Sequence, residues 1–173
     1  MNLGRVFIFI ISLSVMVGCS VSEEEALEKS KETFEQVFQG ETVEATEDTE
    51  MFTYHLPEKF EVESASNNNV VLLHKEQHYL LFVNPMEAKD SDVVYESTKS
   101  NYSELQLDHT FSHNGRLGYV LVAPLEEEEN MKHEVTVGIG GVKMTTVTET
   151  NNLENSTKYM MEIVSSVKVK DQQ

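Results

Sequence analysis

A single cysteine, Cys19, occurs in the 173 residues. That scarcity excludes an internal disulfide and any cysteine-built metal centre. Basic residues are also scarce: 13 lysines and arginines stand against 30 aspartates and glutamates, a formal charge of −17 at pH 7. Such a surface repels phosphate backbones and anionic headgroups, which argues against nucleic acid as a partner and against peripheral attachment to a membrane. Acidity on this scale also serves solubility alone. No apolar run reaches the roughly 20 residues that a spanning helix needs. Catalytic signatures are missing as well. There is no G-x-S-x-G and no P-loop, and Gly138-Ile139-Gly140-Gly141 lies between two strand patterns, where it reads as a hairpin turn. His133-Glu134 opens like H-E-x-x-H, but Val137 holds the second histidine position. The chain is therefore expected to be non-catalytic, with no catalytic residues and no cofactor.

What is present begins at the N-terminus. Arg5 is followed by an apolar stretch from Val6 to Val17 broken only by Ser12 and Ser14, and the stretch ends in Val15-Met16-Val17-Gly18-Cys19-Ser20. A short charged region followed by an apolar segment of this length has the form of a signal peptide. A small residue before a cysteine at its end resembles the lipobox of bacterial lipoproteins, with Met16 where leucine is usual. The resemblance implies cleavage before Cys19 and lipidation of its sulfur, by diacylglycerol and acyl chains such as palmitate. Two chains or more hold a protein durably, at about 0.8 kcal/mol per buried CH₂. Arg5 is the only charge before Cys19, so cleavage takes the formal charge from −17 to −18.

Beyond the cysteine, Ser22 with Glu25 has the capping-box form, and Glu23 and Glu24 suit the positive end of a helix. Leu27, Ser30, Phe34, Val37 and Phe38 form one face, and Gly40 ends the helix. Glu41 to Glu50 holds five acidic residues and no basic one, which reads as an extended linker. From Met51 the period becomes two. Strands are expected over Met51–Leu56, around Phe60–Val62, and over 70–73 and 79–83 on either side of Lys75-Glu76-Gln77. Val94, Thr98 and Tyr102 then fall at helical spacing. A second β run follows: Leu105–Phe111 and Leu117–Ala123 joined by Asn114-Gly115, then Val135–Ile139 and Val142–Glu149 about Gly140-Gly141. A closing helix starts near Asn151 or Asn152, with Leu153, Thr157, Met160, Val164 and Val167 on one stripe.

Helix, four strands, helix, four strands, helix is an α+β arrangement, an antiparallel sheet covered by helices with one further helix at the N-terminus. Over Met51 to Lys168 it resembles the PsbP-like α/β/α sandwich. The resemblance is carried by Phe52-Thr53-Tyr54-His55-Leu56-Pro57, the strand exit from Tyr79 to Pro85, Gly115-Arg116-Leu117-Gly118-Tyr119-Val120, and Met160 to Val167. The tryptophan usual after the Tyr-x-x-Pro strand is absent, with Phe60 nearby. The resemblance implies binding or assembly rather than catalysis. Three segments are thus expected: a lipoprotein signal peptide at 1–18, a lipidated N-terminus with helix and acidic linker at 19–50, and a globular domain at 51–173.

Six histidines are the metal candidates: His55, His74, His78, His109, His113 and His133. A three-residue loop at 75–77 would let His74 face His78, whereas a two-residue turn would set His74 opposite Tyr79. His109 shares a face with Leu107 and Phe111, which suits a hydrogen-bonded core histidine. Glu126-Glu127-Glu128-Glu129 lacks the alternating ligands and turn glycine of a calcium loop and reads as a solvated hairpin tip. No specific metal site is expected. Together these features point to a lipoprotein held by Cys19 on the outer, extracytoplasmic face of the cell membrane. Its domain is expected to be a non-catalytic protein-binding or assembly module with an envelope protein partner. The alternative is a small-ligand or metal-binding lipoprotein.

Overall fold

A computed structural model describes residues 21–125 and 131–170. The signal segment, Cys19 and Glu126–Asn130 lie outside the described residues. The first element, α1 (Glu23–Gln39), starts at the cap that the sequence supplies. Ser22 Oγ accepts from Glu25 N at 3.2 Å, and Gly40 N closes on Gln36 O and Val37 O. The chain then forms β1 (Glu47–Asp48), β2 (Phe52–Tyr54), β3 (Glu61–Ala65), β4 (Asn69–His74) and β5 (Gln77–Val83), followed by α2 (Val93–Lys99). The second run is β6 (Leu107–His113), β7 (Arg116–Leu125), β8 (Lys132–Ile139) and β9 (Val142–Glu149). A 3-10 turn at Thr150–Asn152 opens α3 (Leu153–Ser166), and β10 (Lys168–Val169) ends the fold.

The architecture is α+β, with an antiparallel main sheet in the order β3-β4-β5-β9-β8-β7-β6. Alternation along the strands gives this sheet two faces. Leu72, Tyr79, Leu81, Val120, Val122, Val135, Val137 and Met144 point to the inner face and pack with Phe34 and Phe38 of α1 and with Met160, Ile163 and Val164 of α3. On the outer face, Tyr119 and Leu121 of β7 pack against Tyr95 of α2. Helices therefore lie on both sides of the sheet.

Two expectations change. The 51–56 strand does not enter the main sheet. Pro57 is followed by a turn in which Phe60 N reaches Pro57 O at 3.1 Å and Lys59 takes φ 72°. That turn redirects the chain, so β2 pairs instead with β1 and β10 in a small three-stranded sheet.

The second change concerns the boundary at residue 50. Helix α1 belongs to the same core as the strands after it: Phe34 and Phe38 are fully buried, and Ser30 Oγ meets Thr157 Oγ1 of α3 at 3.2 Å. Helices α1 and α3 lie side by side because both stripes need one sheet face. A globular unit beginning at 51 would leave that face half uncovered. The acidic stretch 41–50 joins two parts of one body. Its end is stitched in, with Thr46 N on Tyr54 O at 3.0 Å and Glu47 paired with Tyr54.

Turn chemistry sets the registers. Asn114 and Gly115 have φ of 51° and 68°, the left-handed pair of a type I′ turn, and His113 stands opposite Arg116. At the β4–β5 hairpin the turn is Lys75-Glu76, with Lys75 at φ 58°, and His74 stands opposite Gln77. Neither expected pairing of His74 is formed.

Candidate functional site

The two-residue turn at Lys75-Glu76 has a chemical consequence. Because Gln77 is opposite His74, His78 falls on the other face of the sheet. His74 stacks on Phe60 with ring centroids 4.6 Å apart, while His78 Nε2 meets Glu63 Oε2 at 3.2 Å. The remaining histidines are equally dispersed. His55 Nδ1 is 3.2 Å from Glu44 O, and His113 stacks on Phe111. His109 Nε2 meets Glu35 Oε1 of α1 at 2.7 Å, with Phe34 edge-on to its ring, so it is hydrogen-bonded as expected but half-buried beneath a helix rather than in the core. Among the described residues no three His, Cys, Asp or Glu side chains come together as metal ligands.

His133 is fully buried at the end of β8, beneath the first turn of α1. Gln106 Nε2 donates to Glu23 Oε1, which turns its amide oxygen toward the imidazole. His133 Nδ1 is 2.9 Å from Gln106 Oε1 and therefore carries the proton, while Nε2, at 2.9 Å from Thr150 Oγ1, accepts. Burial lowers the pKa of this ring, and Glu23 opposes the shift. The chain Glu23–Gln106–His133–Thr150 locks the start of α1 to the sheet; it is structural.

The outer face supplies a different arrangement. Helix α2 covers only the β6–β7 side of it. Across β4, β5 and β9, Val71, Leu73 and Phe82 are half-buried, and Leu80 and Val147 are 45 % and 41 % exposed. Register places Leu80 between Val71 and Thr145, with His78 opposite Leu73, so these side chains form one continuous patch. Between this patch and α2 runs a groove of about 510 Å³. Leu80 and Phe82 line one side, Ala123, Pro124 and Leu125 the other, and Lys143, Glu134, Thr145, Thr98, Asn101 and Tyr102 are the charged and polar groups within it.

Those polar groups are held individually. Thr98 donates to Val94 O at 2.6 Å within α2 and accepts from Lys143 Nζ at 3.0 Å. Lys143 also sits 5.9 Å from the Phe82 ring centre. Burial lowers its pKa, and the more distant Glu134 partly opposes that. Tyr102 donates to Glu134 Oε1 and lies 3.4 Å from Thr136 Oγ1. Burial first, then the bond to Glu134, pushes the Tyr102 phenol up to about 12. Nothing here assembles a nucleophile with a base; the groove presents a fixed cation, a fixed carboxylate and apolar walls.

Comparison with known proteins adds little to this geometry. No family model matches the chain, and no curated protein does. A crystal structure of a Bacteroides thetaiotaomicron protein is similar at 11 % identity and a TM-score of 0.48. The match covers 70 % of this chain and 46 % of that one, so the chain spans less than half of its length.

A second cavity, of about 980 Å³, opens beside the start of α3 and is lined by His74, Gln77, Tyr79, Thr148, Ser156 and Tyr159 among others. Its buried polar atoms are already spent on one another. Gln77 Nε2 donates toward Thr146 and Ser156 at 3.0 and 3.2 Å, and Ser156 donates to Thr148 at 3.0 Å. Sequence reasoning found neither cavity. Alternation within β8 and β9 could have put Glu134, Thr136, Lys143 and Thr145 on one face, but α2 has no sequence signal that assigns it to that face.

Proposed function

We propose that this chain is a bacterial lipoprotein, cut before Cys19 and held by lipid on that residue at the extracytoplasmic face of the cell membrane. Its domain works as a non-catalytic protein-binding or assembly module. The anchoring half rests on the lipobox-like Val15-to-Cys19 segment. Only Ser20, Val21 and Ser22 separate Cys19 from α1, a tether of on the order of 10 Å. Such a tether keeps the α1 end of the domain close to the bilayer, while net acidity repels the anionic headgroups.

The binding half is carried by one observation, the uncovered apolar patch of Val71, Leu73, Leu80, Phe82 and Val147. Three adjacent strands that leave apolar side chains in water gain when a partner covers them. Glu61, Glu63 and Glu134 lie on or beside that face, so the partner that fits is an envelope protein with an apolar surface bordered by lysine or arginine. A second reading, a small-ligand lipoprotein, is supported by the groove around Lys143.

Both halves can be tested. Cys19→Ser should abolish the acyl mass shift and detergent-phase partitioning; wild-type protein recovered at its unmodified precursor mass refutes the anchor. Cross-linking on native membranes should join the lipoprotein to a partner that is lost in Leu80→Asp and kept in Val43→Asp, an equally exposed site off the patch. Equal cross-linking by both variants refutes the patch as the interface.

A further inference from the structure

The groove beside α2 contains a cation that touches no carboxylate among the described residues. Lys143 projects from β9 onto the outer face and is partly buried there. Among the described residues it forms no ion pair; its one hydrogen bond is the 3.0 Å donation to Thr98. An ammonium has three donors, so two remain for a further acceptor. Burying a charge without a contacting counter-ion is costly, and among the described residues Glu134 acts on this lysine without an ion-pair contact. By contrast, Lys99 on α2 holds Asp108 at 2.6 Å.

We propose that this groove binds an apolar monocarboxylate, with the carboxylate on Lys143 and the hydrocarbon body along Leu80, Phe82, Ala123, Pro124 and Leu125. Apolar side chains stand on two sides of a groove that is otherwise polar, and the volume of about 510 Å³ suits a small organic ligand. Glu134 sets the limit to one negative charge. Lys143 stands opposite Gly138, four residues along β8 from Glu134. That places the two backbone positions about 13 Å apart. Glu134 is held at its end by Tyr102. A ligand with a second anionic end would run its far charge into that carboxylate; an apolar or hydrogen-bond-donating end would not. Nor would a cationic amphiphile bind head-first at Lys143. Burial lowers the lysine's pKa, and a bound carboxylate would raise it again. This site shares Leu80 and Phe82 with the partner surface proposed above, is told apart from it by Lys143, and does not depend on lipidation or on an envelope partner.

The test uses lipid-free protein starting at Ser20, which retains every described element of the fold. Calorimetric titration with octanoate should give a saturable one-to-one isotherm, and octan-1-ol and octylammonium should bind at least tenfold more weakly. Lys143→Met keeps the length of the side chain and removes its charge. It should weaken octanoate at least tenfold and leave octan-1-ol unchanged, whereas Lys143→Arg should restore octanoate. Leu80→Glu, at an exposed position where folding is not at stake, should abolish octanoate binding by placing a carboxylate on the apolar wall. Absence of saturable octanoate binding to the wild type overturns the proposal. So does octanoate binding that is indifferent to both Lys143→Met and Leu80→Glu, or an octylammonium affinity equal to that of octanoate.

Discussion

His133 and Gln106 are joined by a 2.9 Å hydrogen bond that fixes the histidine as its Nδ1 tautomer in the interior of the domain. The direction follows from Glu23, which takes the amide nitrogen of Gln106 and leaves only the oxygen for the ring. Burial keeps His133 neutral and sets its folded pKa below the usual 6.5. The unfolded chain therefore takes up a proton first as pH falls. The sign is that of a depressed histidine: stability is unaffected well above pH 6.5 and declines as pH drops below it. We expect the thermal midpoint of the wild type to fall between pH 7.5 and 5.5. His133→Gln should show a smaller fall over that window, since it cannot take the proton. His74, whose pKa burial also lowers, contributes in the same direction to both proteins and cancels in the comparison. Equal pH dependence in the two proteins would refute the assignment.

Tyr119 is buried over the outer face of the sheet, and its hydroxyl has no hydrogen-bond partner among the described residues. A buried unsatisfied hydroxyl costs about 1–3 kcal/mol. Tyr119→Phe keeps the ring against Tyr95, at 5.4 Å between centroids, and removes that cost. We expect urea unfolding to show a gain of about 1 kcal/mol, where most Tyr→Phe changes in a core are losses.

Two left-handed glycines separate backbone strain from steric clash. Gly115 has φ 68°, and a Cβ added there would meet nothing within 4 Å, so Gly115→Ala should cost only the backbone term, about 1 kcal/mol. Gly140 has φ 53°, and a Cβ there would stand 2.2 Å from Ala88 O. The 84–89 loop packs on this turn, with Asn84 N on Gly141 O at 2.9 Å. Gly140→Ala must therefore move backbone as well, and its loss in urea unfolding should exceed that of Gly115→Ala by about 1 kcal/mol or more.

Local signals in the sequence translated well into structure. The Ser22 cap, the Asn114-Gly115 turn and the Leu153-to-Val167 stripe each depend on residues within a few positions of one another, and each appears where those residues place it. Partner choice between strands was less legible. Phe52 and Tyr54 read as a strand, but whether they join the main sheet depends on the turn after Pro57 and on Lys168 and Val169, more than a hundred residues away. The histidines show the same limit: one residue of turn length decides whether His74 and His78 share a face. The groove was illegible for a related reason, since Tyr102, Glu134 and Lys143 come from three elements brought together only by the sheet order.

The N-terminal helix gives the sharpest test of domain organisation. Its stripe of Leu27, Phe34, Val37 and Phe38 starts a few residues beyond Cys19, which makes the bilayer an obvious place to hide it. The fold hides it instead. Phe34 and Phe38 stack 5.9 Å apart and are fully buried; a Cβ at Gly118 would lie 3.0 Å from both rings. Arg116 caps the assembly by donating to Phe38 O at 2.8 Å and lying 4.7 Å from the centre of its ring. Helix charge points the same way, because three glutamates occupy the first turn and no basic residue the last, a poor match to an anionic leaflet. Lipid-free protein should therefore not bind anionic vesicles, with or without Phe34→Ala. That substitution should cost about 3–5 kcal/mol in urea unfolding, as expected for emptying a phenyl-sized site in a packed core. A fragment beginning at Met51 should lose the cooperative thermal transition of the whole domain, since it exposes the inner sheet face and the side of α3 that Ser30 and Phe34 cover. A cooperative melt of that fragment at the wild-type temperature would make α1 an accessory, and vesicle binding abolished by Phe34→Ala would place it on the membrane.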